Sequence, residues 1–185
     1  MNETLRTIAE RYSCRSYADT SLTEGQIKTL ADAALASPSA RNEQPWQVIV
    51  ITDKKLIKEL DEEGVRVLSE MEDKAYYERV MASGGKMLYD APCLIVVASS
   101  GSDYSAIDCG ILSQSVCLAA KSMGLGSVII GLLRHSLSGP RGDEFKKRMK
   151  FPDGYGFGIS IVVGVAKNGK APHDLNMEKV TYIEG

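Results

Sequence analysis

The segment from Tyr104 to Met123 is the feature that most restricts how this chain can fold. Its spacing predicts one long helix, which GLG at 124–126 ends. The apolar side chains lie around most of the helix circumference: Ile107, Ile111, Leu112, Val116, Cys117, Leu118, Ala119 and Ala120. A helix that is apolar on every side has to be buried on every side.

This helix can be covered in two ways. It can lie between its own sheet and a second copy of the chain, in a large interface with twofold symmetry. It can instead run through the centre of a domain that wraps it completely. A chain of 185 residues is small for the second arrangement, so we expect a homodimer.

Composition predicts a single domain, residues 1–185, and excludes several kinds of partner. The 22 basic and 24 acidic side chains nearly cancel, so no overall field favours nucleic acid or an anionic membrane. Cys14, Cys93, Cys109 and Cys117 have no CxxC spacing, which argues against zinc ribbons, iron–sulfur clusters and thioredoxin-like chemistry. Reduced thiols, a polar N-terminal segment and the lack of a long apolar run predict a soluble, cytoplasmic protein.

Hydrophobic periods and helix-capping residues predict alternating helices and strands along the chain. The expected helices are 3–11, 23–36, 53 to about 63, a charged region ending near 89, 104–123 and 143–150. The expected strands are 46–52, 92–100, 127–131 and 158–167. The second of these strands, CLIVVASS, is almost continuously apolar, so we expect it to be central in the sheet.

Two basic motifs are candidate phosphate ligands. Arg11, Ser13 and Arg15 alternate directly after the first helix, and in an extended chain they would point the same way. Two guanidinium groups and a hydroxyl could then bind one phosphate. Taken alone, solvated loop charges are the simpler explanation of this motif, and a surface turn, KNGK, that of Lys167 and Lys170.

Two loops carry candidate ligand contacts. SPSARNEQPW, residues 37–46, has more short hydrogen-bonding groups than a turn needs, so we interpret it as the wall of a ligand site. The glycines of GLGSVIIG precede a strand instead of following one, so they are not a dinucleotide-binding fingerprint. Gly131 could let the backbone approach a flat ligand, although a helix cap followed by a strand explains the other glycines equally well.

Catalytic side chains are scarce. His135 and His173 are the only histidines, and the chain has no HExxH, GxSxG or Cys–His signature. We therefore predict no catalytic residue and no metal ligand. Such scarcity is typical of a protein in which a cofactor carries the reaction.

Four of these features occur together and in a specific order. RYSCRSY, SPSARNEQPW, the apolar helix running into GLGSVIIG, and the basic tail resemble the FMN-dependent nitroreductase family. The resemblance implies an α+β homodimer with a nitroreductase-like three-layer α/β/α sandwich and a mixed, mainly antiparallel sheet. It also implies two FMN sites at the interface, each built from both subunits.

The resemblance assigns residues to the two ends of FMN. The phosphate and ribityl end would be held by Arg11, the backbone of Tyr12, Ser13, Arg15, Lys167 and Lys170. The isoalloxazine ring would be lined by Pro38, Ser39, Ala40 and Asn42 of the other subunit, with Gln44 in support. Ile130, Gly131 and Leu132 would lie against the other edge of the ring.

Departures from the family pattern concern the phosphate and the substrate. Tyr12 stands where the family often has a second arginine, and Lys167 and Lys170 stand where arginine is frequent, so fewer bidentate contacts are possible. The region 61–92 matches no family motif. We expect substrate choice to be decided there.

The function implied by the resemblance is that of an FMN-dependent NAD(P)H oxidoreductase. NADH or NADPH would reduce the flavin, and nitroaromatics, quinones or related small acceptors would reoxidise it. A non-catalytic protein that binds or stores flavin is the alternative, because the same residues would permit it. Reductive dehalogenation of one metabolite is a more remote possibility that no residue distinguishes.

Overall fold

Seven α-helices and four strands make up the fold, and the computed structural model describes all residues from Met1 to Gly185. The helices are α1 (Glu3–Glu10), α2 (Glu24–Leu35), α3 (Lys54–Glu70), α4 (Ala75–Ala82), α5 (Ser105–Ser122), α6 (Leu133–Ser138) and α7 (Gly142–Arg148). The strands are β1 (Trp46–Ile51), β2 (Cys93–Ser99), β3 (Gly126–Ile130) and β4 (Gly156–Gly164). Short 3-10 helices cover Ala40–Asn42 and Met177–Lys179.

The strands form one sheet in the order β1-β2-β4-β3, with every neighbouring pair antiparallel. Parallel pairing is limited to a single bridge between Ser13 and Ser127. All seven residues of β2 are buried, because helices cover both faces of this inner strand. The continuous apolar run therefore correctly predicted that β2 is an inner strand of the sheet.

Helices lie on both faces of the sheet, which produces the expected three layers. Ile95 of β2 packs in a core with α2 and α5, whereas its neighbour Val96 packs on the other face with α3, α6 and α7 because successive strand residues alternate. Outside this sandwich, α1 lies on α5, where Lys121 pairs with Glu10 at 3.3 Å. The predicted α+β class is confirmed.

Helix α5 is buried along one face only. Its buried residues recur every three or four positions, as on one side of a helix. On the opposite side, the exposed fractions of Ile107 and Ile111 are 62% and 38%. The alternative in which the domain wraps this helix completely is therefore wrong. The homodimer stays a prediction.

Three helix boundaries differ from expectation. The charged helical region expected to end near residue 89 ends with α4 at Ala82, and glycines lie at the other two boundaries. Helix α3 continues past Gly64 to Glu70. The residue is a glycine because a Cβ there would come within 2.0 Å of Met87 Cε. Helix α7 begins at Gly142 after the N-cap Arg141, so Asp143 is in the first turn and is not the cap. A Cβ at Gly142 would lie 2.1 Å from the carbonyl oxygen of Leu137. The short helix α6 was not predicted.

The four cysteines are free and buried. Burial raises the pKa of the Cys93 thiol to about 12, and burial is also the main cause that raises the pKa of Cys109 and Cys117. None of the helices combines the length and the apolar character needed to cross a membrane.

Candidate functional site

The segment that contains Arg11, Ser13 and Arg15 crosses one end of the sheet. The backbone N–H of Cys14 donates to Ser127 O at 2.9 Å, and that of Ala18 donates to Val165 O at 2.8 Å. Cys14 is buried and Arg15 is exposed, as expected for side chains that alternate in an extended chain. The extended conformation assumed for the motif is therefore present.

The basic tail lies beside this segment. The backbone N–H of Lys167 donates to Ser16 O at 3.0 Å, and the hydroxyl of Tyr12 donates to Asn168 O at 2.6 Å. The two candidate phosphate motifs, from opposite ends of the sequence, thus meet at one place. Tyr12 holds the tail in position, and Lys170 lies farther along it, exposed.

A cavity of about 1070 Å³ opens next to this junction. Arg15 and Lys167 are the two predicted site residues that line it. The other lining residues come mainly from α3 and from the loop before β2: Ser16, Tyr17, Asp19, Lys54, Ile57, Lys58, Asp61, Glu62, Val65, Arg66, Ser83, Gly84, Gly85, Lys86, Leu88, Tyr89, Asp90, Ala91 and Pro92.

Charge in this cavity is balanced except at one end. Four of its six basic residues have an acidic partner: Lys54 with Asp19, Lys58 with Glu62, Arg66 with Glu63 and Glu70, and Lys86 with Asp90. Arg15 and Lys167 form no ion pair. Two unpaired cations held side by side by the backbone favour an anionic group between them.

The loop between α2 and β1 is strained and held by its own polar groups. Arg41, Asn42 and Gln44 have φ angles of 53°, 55° and 47°, which non-glycine residues adopt rarely and at a cost. The hydroxyl of Ser39 accepts from Gln44 N at 2.9 Å, and Asn42 Oδ1 accepts from Gln44 Nε2 at 3.0 Å. The many short polar residues of this loop therefore fix its shape.

Helix α5 also holds this loop. Asp108 Oδ1 accepts a hydrogen bond from Ala40 N at 3.1 Å. Asp108 is 2% exposed, and its second oxygen, Oδ2, is buried without a partner. Pro38–Gln44 is thus held in place from outside the loop as well, which is compatible with its interpretation as the wall of a ligand site.

Within one chain, the Pro38–Gln44 loop is far from the phosphate motifs. The loop leads into Trp46 on the edge strand β1, whereas Ser13 pairs with Ser127 on the opposite edge strand β3. Three strand spacings separate the edges by roughly 14 Å, and seven residues of β4 separate the two ends by roughly 23 Å. One chain therefore does not bring the two predicted halves of the site together.

The third predicted contact, Ile130–Leu132, ends β3. The side chain of Ile130 is buried, and its carbonyl oxygen accepts from Ser160 Oγ at 2.7 Å. Arg134 folds back over Gly131: its Nε donates to Gly131 O at 2.9 Å, and a Cβ at Gly131 would lie 3.2 Å from its guanidinium. The open backbone at Gly131 is therefore covered by a flexible cationic side chain.

Comparison with known proteins identifies the family. A model of the family described as "Nitroreductase family" matches residues 8–165. The chain belongs to the nitroreductase family. The family expected from the sequence is thus confirmed, although the match does not test individual site residues.

Relatives of this nitroreductase-family chain include a solved protein of equal extent. A nitroreductase with bound FMN from Desulfitobacterium hafniense DCB-2 is 43% identical, with a TM-score of 0.95 over 100% of both chains. A putative NADH dehydrogenase/NAD(P)H nitroreductase from Archaeoglobus fulgidus is 31% identical over 71% of this chain and 69% of its own. One of the same name from Methanothermobacter thermautotrophicus is 32% identical over 70% of this chain, which spans 61% of that relative.

Sequence reasoning assigned the region 61–92 of this nitroreductase-family protein to substrate choice, but it identified neither Asp61 nor the Ser83–Asp90 loop as parts of the cavity. Burial raises the pKa of the Asp61 carboxyl to about 6, against the lowering effect of the N–H groups of Leu88 and Met87. The helical region expected to end near residue 89 ends at Ala82 instead, before Gly84 and Gly85. No local pattern identified Asp61, because its partners lie 26 and 27 positions away.

Proposed function

We propose that this member of the nitroreductase family is an FMN-dependent NAD(P)H oxidoreductase that reduces small acceptors such as nitroaromatics or quinones. The unpaired cations Arg15 and Lys167 carry the proposal, since they offer an anion site beside a large cavity. The FMN in the Desulfitobacterium relative supports the choice of cofactor. NAD(P)H in the names of the two archaeal relatives supports the electron donor.

The residues fit FMN along the edge strand β3. Ser13 lies at the start of this strand and Gly131 follows its end, and the four-residue separation of Ser127 and Gly131 spans roughly 13 Å. A phosphate at Ser13, Arg15 and Lys167 would leave the ring near Gly131. Arg11 and Lys170 would add charge at the phosphate, and Leu132 would contact the ring.

We also propose a homodimer, because each site needs the Pro38–Gln44 loop of a second chain. Apolar side chains on α1 and α5 support this: Leu5, Ile8, Ile107 and Ile111 are 38% to 62% exposed. Leu175, Tyr182 and Ile183 of the C-terminal segment are exposed as well. A second copy would cover this apolar surface.

When bound, FMN supplies the hydride chemistry. The chain would bind its phosphate through Arg15 and Lys167 and offer backbone and polar groups at the ring. We assign no side chain as acid or base.

A cytoplasmic location stays a prediction, supported by the four free thiols and tested by cell fractionation.

Spectroscopy and rapid mixing test the activity. We expect the purified protein to show flavin absorption, which NADH or NADPH bleaches and 1,4-benzoquinone then restores within the time of turnover. Protein that binds FMN but is not bleached by either nicotinamide is a flavin-binding or storage protein. Protein that takes up no FMN contradicts the proposal.

A further inference from the structure

The cavity extends beyond the site proposed for FMN. It is lined by no residue of β3 and by neither Gly131 nor Leu132, where the flavin ring is proposed to lie. Arg15 and Lys167, which are proposed to bind the phosphate, form one part of its wall, and most of the rest comes from α3 and from the loop between Ser83 and Asp90. This second part of the wall can therefore bind a ligand other than the flavin.

Asp61 lies in an apolar strip on the face of α3 that borders the cavity. Ile57, Asp61 and Val65 all line the cavity, because residues four positions apart share one face of a helix. Leu88 of the loop before β2 lines it as well. Asp61 is only 8% exposed, so its carboxylate is set among apolar side chains and has little contact with bulk water.

The protein itself uses only one oxygen of this carboxylate. Asp61 Oδ1 accepts hydrogen bonds from Met87 N and Leu88 N, both at 2.8 Å, whereas Oδ2 accepts none. Oδ2 is not among the fully buried unpaired atoms, and Asp61 lines the cavity, so this oxygen faces the cavity. Since an unpaired acceptor in a largely buried site costs free energy, a donor on a ligand would be stabilising there.

The negative charge of Asp61 also has no partner. Burial raises the pKa of its carboxyl to about 6, so the group is still mainly ionised at pH 7 to 8. The nearby charges that act on it, Asp90 and Lys86, have opposite signs. A carboxylate without an ion pair favours a cationic ligand. Each of the other acidic residues that line the cavity pairs with a lysine: Asp19 with Lys54, Glu62 with Lys58, and Asp90 with Lys86.

We propose that this part of the cavity binds a small organic ammonium ion that carries an apolar or aromatic body. The ammonium group donates to Asp61 Oδ2, and the body lies against Ile57, Val65 and Leu88. A metal ion is a poorer occupant, because no group of three or more His, Cys, Asp or Glu side chains that could hold one occurs in the chain. The inference goes beyond the proposed function and does not rest on it, since the flavin is assigned to other residues.

Titration calorimetry with 2-phenylethylamine, in the presence of excess FMN, tests the site. We expect the amine to bind at least about tenfold more tightly than the uncharged 2-phenylethanol, because its hydrogen bond to the carboxylate is charge-assisted. Asp61→Asn keeps an acceptor for the two backbone N–H groups but removes the charge. This variant should raise the dissociation constant of the amine at least about tenfold and change that of the alcohol much less.

Glu62→Gln is the matched control. Glu62 lines the same cavity, but its carboxylate is exposed and pairs with Lys58 at 3.5 Å. We expect its loss to change the dissociation constant of 2-phenylethylamine less than about threefold, since exposed ion pairs contribute little. A loss as large as that of Asp61→Asn would show general attraction to a negative surface and would overturn the site.

Amide NMR spectra of the unaltered protein make the test independent of how well the variants fold. The amine should shift the Met87 and Leu88 amide resonances, because both N–H groups bond to the carboxylate that would bind it. The site is wrong if these resonances do not move, if amine and alcohol bind equally, or if folded Asp61→Asn binds the amine as before. Protein that binds the amine as expected but takes up no FMN would overturn the proposed function and leave this site intact.

Discussion

The buried carboxylate of Asp108 accepts a hydrogen bond from the backbone N–H of Ala40 at 3.1 Å, which ties the strained Pro38–Gln44 loop to α5. Because Arg41 and Asn42, which follow Ala40, have positive φ angles that cost free energy, we expect the loop to depend on this contact. The same helix carries the exposed Ile107 and Ile111 on its other side. Helix α5 therefore links the proposed ring wall to the proposed dimer interface.

Replacing Asp108 tests this anchor. Asp108→Ala should leave Ala40 N without its acceptor and lower the free energy of unfolding by about 1–3 kcal/mol. Asp108→Asn keeps an acceptor and should retain most of that stability. Urea denaturation measures both, with the exposed Asp103→Ala as a control; equal stabilities for Asp108→Ala and the control would show that the contact is unimportant.

Replacing Ile111 tests the dimer. Ile111 is 38% exposed in the single chain, so a charge there should allow folding but should oppose burial against a second copy. We expect Ile111→Asp to sediment as a folded monomer with little bound FMN. Lys147→Asp, an exposed position on α7 on the other face of the sheet, should remain dimeric. A dimeric Ile111→Asp protein with normal FMN content would place the interface elsewhere.

Replacing Arg15 tests the anion site. Loss of one charge-assisted contact to the phosphate should raise the FMN dissociation constant about ten- to hundredfold and change riboflavin binding much less. The control is Lys54→Ala, because Lys54 lines the same cavity but pairs with Asp19. We expect Lys54→Ala to raise the FMN dissociation constant less than about fivefold, since exposed ion pairs contribute little. If the dissociation constants for FMN and riboflavin rose equally, Arg15 would not contact the phosphate.

Mixed dimers test whether each site uses two chains. Arg15→Ala and Asn42→Leu should each weaken FMN binding, and in the proposed dimer the two lesions would lie on different chains of any one site. After subunit exchange, a heterodimer has one site with both lesions and one with neither. Titration should therefore recover up to about half of the high-affinity sites. Verified heterodimers without any such site would place both residues in the site of one chain.

Asp61 should make stability depend on pH. Its pKa is raised from 3.8 to about 6 in the folded protein, so folding favours the protonated carboxyl. This contribution is complete below about pH 4 and is lost as the pH rises through 6, a change of about 3 kcal/mol at most. Relative to Asp61→Asn, the unaltered protein should lose unfolding free energy between pH 4 and pH 7. If the unfolding free energies of the two proteins changed with pH in parallel, the raised pKa of Asp61 would be contradicted.

Local sequence patterns predicted those helices and strands whose own residues show the pattern of apolar side chains that the fold buries. The apolar run of β2 and the helical period of α5 needed no knowledge of distant residues. Gly64 shows where this reasoning fails. A glycine after a charged helix usually marks its end, but this one serves the packing of Met87, and α3 continues to Glu70.

The candidate site was predictable only in part for the same reason. Arg15 and Lys167 were identified from the family motif and meet at the cavity. Tyr12 was taken as a missing arginine, although its hydroxyl holds the tail at Asn168. Asp61 could not be found, because its importance comes from two backbone N–H groups that only the folded chain brings to it.

The four buried thiols affect how this protein withstands its proposed substrates. Quinones and partly reduced nitro compounds are electrophiles, and a cysteine attacks them as the thiolate. All four cysteines are buried, and Cys93, Cys109 and Cys117 also have raised pKa values. The folded chain therefore shields its thiols from such electrophiles, and unfolding would expose them.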